Sequence, residues 1–176
     1  MKTKTQNLVS GGLLLAFGLI LPYFFHMLGM AGPIFLPMHI PILLGGLILG
    51  PKYGVILGVI TPLLNSVLTG MPPIYPVGIS MSFELAAYGF ITGYLYRNKN
   101  YNIYLALIPA MIVGRFVSGI TTYILLSFGG KLFILNMFLV AAFIKSIWGI
   151  LIQIMFIPMI VKVLEKSKRM VGINGL

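Results

Sequence analysis

Long apolar stretches alternate along the chain with short segments rich in glycine, proline or charge. They predict six helices, over residues 7–28, 35–50, 52–69, 78–96, 103–126 and 134–163. Most reach the roughly 20 apolar residues that a helix needs to cross a bilayer, whereas a membrane barrel would show alternating segments of about ten residues. The fold class predicted is therefore an all-α integral membrane protein, a six-helix bundle forming a single transmembrane domain over residues 1–176. The second stretch is short, and Pro37, Pro41 and Pro51 bracket it. It is expected to be tilted, kinked or partly re-entrant, with protein covering its freed backbone groups.

Charge orients this bundle. Twelve Lys and Arg face two Asp and Glu, a formal net charge of +10. With the N-terminus inside, Lys2, Lys4, Lys52, Arg97, Lys99, Lys162, Lys166, Lys168 and Arg169 all fall on the cytoplasmic side and Lys131 alone falls outside. The positive-inside rule thus predicts both termini in the cytoplasm. That asymmetry accounts for the basic balance without nucleic acid. Lys2 and Lys4 before an apolar run superficially suit a signal peptide, but the run is long and lacks a small-residue cleavage pattern, so it reads as the first span.

Several chemistries are excluded. The chain has no cysteine, hence no disulfide, thiol nucleophile or thiolate metal site. His26 and His39 have no acidic or cysteine companions at ligand spacing, so no metal is expected. Gly129-Gly130-Lys131 lacks the glycine spacing and the following Ser or Thr of a phosphate-binding loop. No nucleophile and base set appears, which argues against an enzyme, and no cofactor is implied.

What remains is polar groups in apolar surroundings. Glu84 lies within the fourth stretch, where a charge at a helix centre costs about 2.5–3.5 kcal/mol and normally faces a partner or a watery cavity. Arg115 on the fifth stretch and Lys145 on the sixth are its candidate partners. Arg115, Ser118 and Thr122 follow helical spacing, as do Glu84 with Tyr88 and Lys145 with Trp148. At 1.5 Å per residue, Glu84 lies about 10 Å from the outer end, Lys145 about 15 Å, and Arg115 somewhat deeper. His39 and Asn65 lie shallower. These residues outline a binding cavity open outward, with Trp148 suited to stack on a flat ligand; the competing reading is a structural ion pair. The connection 70–77 carries Pro72, Pro73 and Pro76, a semi-rigid strap on which Tyr75 supplies an aromatic face.

Small residues recur four apart at Gly12 and Ala16, Gly46 and Gly50, Gly54 and Gly58, Gly89 and Gly93, and Ala110 and Gly114. Such pairs let membrane helices approach closely. Most suit packing inside the bundle. Gly12 and Ala16, on a first helix expected to be peripheral, suit a partner subunit.

The chain resembles the S components, the substrate-binding subunits of energy-coupling factor (ECF) vitamin transporters. The resemblance is architectural over nearly the whole length. Its specific parts are Leu36-Pro37-Met38-His39-Ile40-Pro41, Gly50-Pro51-Lys52-Tyr53-Gly54, Thr69-Gly70-Met71-Pro72-Pro73 and Phe83-Glu84-Leu85-Ala86-Ala87-Tyr88-Gly89. Gly12-Leu13-Leu14-Leu15-Ala16 is similar to the family's Ala-x-x-x-Ala contact motif, with glycine at its first small position. The resemblance implies a high-affinity vitamin binder in a prokaryotic plasma membrane. Its partners would be a membrane coupling subunit and two ATPase subunits, and it implies a topple in the bilayer to release substrate inward. The substrate it favours is a cobalamin precursor of the dimethylbenzimidazole or ribazole type; hydroxymethylpyrimidine, pyridoxine, pantothenate and folate stay open. Two other classes remain: a proton-coupled secondary transporter with Glu84 as carrier, and a structural small membrane subunit.

Overall fold

The computed structural model describes residues 4–27 and 32–170. Lys2, and the side chains of His26, Lys168 and Arg169, lie outside the described residues. The helices are α1 (Lys4–Met27), α2 (Gly32–Phe35), α3 (His39–Leu49), α4 (Pro51–Thr69), α5 (Ile79–Gly93), α6 (Ile103–Phe128), α7 (Leu135–Leu139) and α8 (Ile147–Met170). Wide π-type turns at Ile74–Gly78, Tyr94–Asn98 and Val140–Lys145 extend α5 at both ends and join α7 to α8. Strands are absent among the described residues. Among the described residues, five helical stretches are long and apolar enough to cross a membrane: Lys4–Phe25, Pro51–Thr69, Ile74–Asn98, Ile103–Phe128 and Ile147–Lys166.

The second predicted helix is broken. Leu36 takes φ 50, a left-handed conformation uncommon for leucine, and the chain turns through Pro37 and Met38 before α3 begins at His39. The 11 residues of α3 extend only about 16 Å, half of a roughly 30 Å hydrocarbon core. The sixth predicted helix is also interrupted, by the π turn that ends at Ser146.

A seam of glycines holds α3, α4 and α5 together. A Cβ at Gly54 would overlap the backbone of Gly89, one at Gly58 the backbone of Leu85 and Ala86, and one at Gly93 the backbone of Gly50 and Pro51. Gly46 of α3 likewise meets Gly89 and Thr92. Gly46, Gly54, Gly58, Gly89 and Gly93 of the paired small residues therefore serve close internal packing against backbone, where dispersion between close helices replaces the hydrophobic effect. Beside this seam lies the apolar core, with Ile42, Leu43 and Leu47 of α3, Leu57 of α4, Leu85 of α5, Leu107 of α6 and Ile157 of α8.

Helix α1 covers α3 and α4. It turns Gly11 toward Tyr53 and Gly18 toward Thr61, and Asn65 Nδ2 of α4 donates to the Gly18 carbonyl at 3.0 Å. Gly12 and Ala16 point the other way and are exposed. At the end of the bundle nearest the chain termini, Arg97 donates to the Ile48 carbonyl at 3.1 Å, satisfying the end of α3, and the Tyr96 hydroxyl donates to Glu165 on α8.

Candidate functional site

The seam lies in the half of α4 and α5 nearest the chain termini. Toward the opposite end, where the 70–78 connection joins α4 to α5, polar side chains replace glycine between α5 and α6. Ser80, Glu84, Tyr88 and Thr92 are spaced by one turn and all buried. The Ser80 hydroxyl donates to the Ser118 carbonyl at 3.0 Å and pairs with the Thr122 hydroxyl at 2.7 Å. One turn further along, Arg115 Nη1 lies 2.8 Å from Glu84 Oε1. The Tyr88 hydroxyl donates to the same oxygen at 3.1 Å. Gly114 makes room for the Tyr88 ring, since any Cβ there would overlap it.

His39 enters from α3. Its Nε2 stands 3.6 Å from Glu84 Oε1, beyond hydrogen-bonding reach, and its ring lies 5.4 Å from that of Tyr88. The break before α3 is what delivers it: the turn at Leu36 to Met38 starts the helix inside the bundle, leaving His39 only 1% exposed. From the turn just before α8, Ser146 accepts from Arg115 Nη2 at 3.4 Å and donates to the Ala142 carbonyl at 2.5 Å. Such π interruptions frequently accompany functional sites.

Glu84, Arg115, His39 and Tyr88 thus come together as a buried cluster fed by α3, α5 and α6, with Ser146 beside it at the entry to α8. The choice left open by the sequence is settled geometrically: the cation paired with Glu84 is Arg115. Lys145 and Trp148 are exposed on α8 and its π turn, with Trp148 63% accessible, and no ion pair joins Lys145 to Glu84. Asn65 is buried but faces α1. Tyr75 donates its hydroxyl to the Leu125 carbonyl, about 15 Å along α6 from Arg115, and so fixes the 74–78 turn to the end of that helix. Ser66 holds the same connection by donating to the Pro72 carbonyl at 2.6 Å.

Ser80 and Thr92 of α5, and Ser146 and Gln153 further along, are buried polar residues missing from the sequence-based site. Ser146 and Gln153 are each 1% exposed, and Gln153 lies on the inward stripe of α8 that continues through Ile157 and Val161. The signal was available: a lone Gln within an apolar run, seven residues from a Ser.

The family model for the ECF transporter, substrate-specific component, matches residues 6–164. The chain is an ECF substrate-specific component. No curated protein and no solved structure matches it. As an ECF substrate-specific component it is a multi-pass membrane protein and a transport subunit rather than an enzyme, and it associates with the membrane and ATPase subunits of its importer. Groups of His, Asp or Glu able to hold a metal are absent among the described residues.

Proposed function

We propose that this component binds a vitamin or vitamin precursor at the Glu84–Arg115–His39–Tyr88 cluster and delivers it to a membrane coupling subunit driven by two ATPase subunits. The observation that carries this reading is a buried carboxylate with few donors around it. Arg115 and Tyr88 contact Oε1 of Glu84, His39 stands 3.6 Å from it, and Ser118 also faces the carboxylate. An ionised carboxylate has about four acceptor sites, so Glu84 retains capacity for a substrate N–H or O–H. The family-level resemblance supports a cobalamin precursor of the dimethylbenzimidazole type, which offers a flat heterocycle to such a site. The excess of Lys and Arg at the terminal end supports a six-span arrangement with both termini cytoplasmic, α2 and α3 together forming the second span.

Mass spectrometry of metabolites retained through purification tests the binding role, and recovery of none would count against it. The chain carries no nucleotide-binding motif, so alone in liposomes it is expected to bind without concentrating substrate. Accumulation driven by a proton gradient alone would instead establish secondary transport through Glu84.

Docking on the coupling subunit is assigned to Gly12 and Ala16, whose exposure on the outward face of α1 supports it. Beyond its own helix backbone and chain neighbours, no atom lies within 4 Å of a Cβ built at Gly12, so Gly12→Trp should leave the bundle and its ligand affinity intact. Uptake by cells containing the coupling module is expected to fall sharply, because bulk blocks close helix approach. Normal uptake would place the docking face elsewhere.

A further inference from the structure

Four buried side-chain nitrogen atoms lack a hydrogen-bonding partner among the described residues: both ring nitrogens of His39, Nε of Arg115 and Nε2 of Gln153. Leaving a buried polar group unpaired costs about 1–3 kcal/mol, so such atoms in a native fold require a reason. His39 and Arg115 belong to the cluster described above. Gln153 has no such assignment.

The packing of α8 fixes its level. Gly149 meets the backbone of Ile34 and Phe35, where a Cβ would come within 2.7 Å of the Ile34 carbonyl oxygen. Gln153 lies one turn further along α8, and His39 lies four residues beyond Phe35 in the chain. Another turn on, Ile157 shares the apolar core with Ile42. Gln153 therefore lies one turn past a contact to residues 34 and 35, on a face whose next turn, at Ile157, enters the core that α3 also lines. That places Gln153 near the level of the α3 start, on a helix that packs directly against α3.

From this juxtaposition we infer that Gln153 and His39 form a second recognition edge, which donates hydrogen bonds to a substrate held by Glu84. The inference rests on the binding role proposed above. It narrows the substrate class in two ways. Glu84 is neutralised by Arg115, so a ligand of net charge would bring an unbalanced charge into the bundle, a costly arrangement; the substrate is uncharged. The unpaired atoms are N–H donors for the most part, so the substrate presents acceptors on the edge opposite the one facing Glu84. An uncharged nitrogen heterocycle with a ring nitrogen or oxygen on that edge meets both requirements, whereas a carboxylate vitamin supplies acceptors but fails the requirement of zero net charge.

The test uses the purified full chain with dimethylbenzimidazole, hydroxymethylpyrimidine, pyridoxine, pantothenate and folate as probes in calorimetric titrations. At least one of the first three should bind, and the two carboxylates should not. Gln153→Met, which keeps volume and removes the amide, is expected to weaken that binding by at least tenfold, about 1.4 kcal/mol. Its ligand-free melting temperature should be unchanged or higher, because an unpaired donor has been removed. Glu84→Gln serves as the comparison. Binding lost in Glu84→Gln but retained in Gln153→Met would overturn the second edge and leave the Glu84 site standing. Binding unaffected by either would overturn both. Preference for pantothenate or folate, or binding of no probe, would overturn the substrate class. A Gln153→Met chain that melts lower or fails to fold would show the amide to be structural and would also overturn the inference.

Discussion

Replacing Arg115 with methionine is expected to lower stability by about 3–5 kcal/mol, the range found when one half of a buried ion pair is removed. Glu84 is 4% exposed and Arg115 8%, so neither charge can recover hydration by small movements. Tyr88 would still donate to Glu84, but no cation replaces the lost one: Lys145 points away from the cluster on the far side of its π turn. Lys145→Met should consequently leave stability unchanged, a contrast that composition alone would not suggest. The double variant Glu84→Gln with Arg115→Met should recover most of the loss, since it removes both charges together. Ligand binding should not recover, because Glu84→Gln by itself is expected to weaken binding at least tenfold, about 1.4 kcal/mol. Thermal unfolding in detergent and calorimetric binding give the two readouts. Full rescue of both by the double variant would mean that the pair is only structural.

Gly58→Leu is expected to be the most damaging single change in the helix seam, with a loss of at least about 3 kcal/mol, the upper range for overpacking. The obstacle facing a new side chain there is the backbone of Leu85 and Ala86, which cannot move aside by changing rotamer. The helices must separate, and Glu84, one residue before Leu85, moves with them. Substrate binding should therefore be lost along with stability. Size-exclusion chromatography of the solubilised variant gives the first readout and melting temperature the second. Gly12→Leu, on the open face of α1, is the control and should behave as the unaltered chain. Equal behaviour of the two variants would show that α4 and α5 can repack without their close contact.

The membrane class, the long helices and the partnership of Glu84 with a cation were legible because each rests on local chemistry: apolar length, charge asymmetry, and the cost of one carboxylate in an apolar run. Helical spacing also put Glu84 with Tyr88 and aligned Arg115 with Ser118. Spacing within a helix does not reveal which face of that helix turns inward, and this is where Lys145 and Trp148 diverged from Ser146. The π turn at Val140–Lys145 shifts the register by a fraction of a turn, placing Ser146 toward Arg115 and its neighbour Lys145 outside. The depth assigned to His39 rested on an unbroken second helix. Pro37 and Pro41 flagged a kink, but the left-handed Leu36 that starts α3 inside the bundle carries no signature of its own. Asn65 reads in the sequence as part of the outward cavity; that it bonds a carbonyl of α1 instead depends on helix packing that no single segment encodes.

The short length of α3 has an electrical consequence. A helix that begins within the bundle brings its unpaired amides with it, and aligned peptide dipoles give that end a partial positive charge of roughly half an elementary unit. Met38 supplies no side-chain cap. The His39 amide finds the Leu36 carbonyl at 3.1 Å, and Pro41 has no amide hydrogen to lose, so the buried terminus is tolerated at little cost. The field around Glu84 therefore has a backbone source as well as Arg115. A continuous second helix would carry that positive end to the membrane surface, leaving the carboxylate to a single guanidinium.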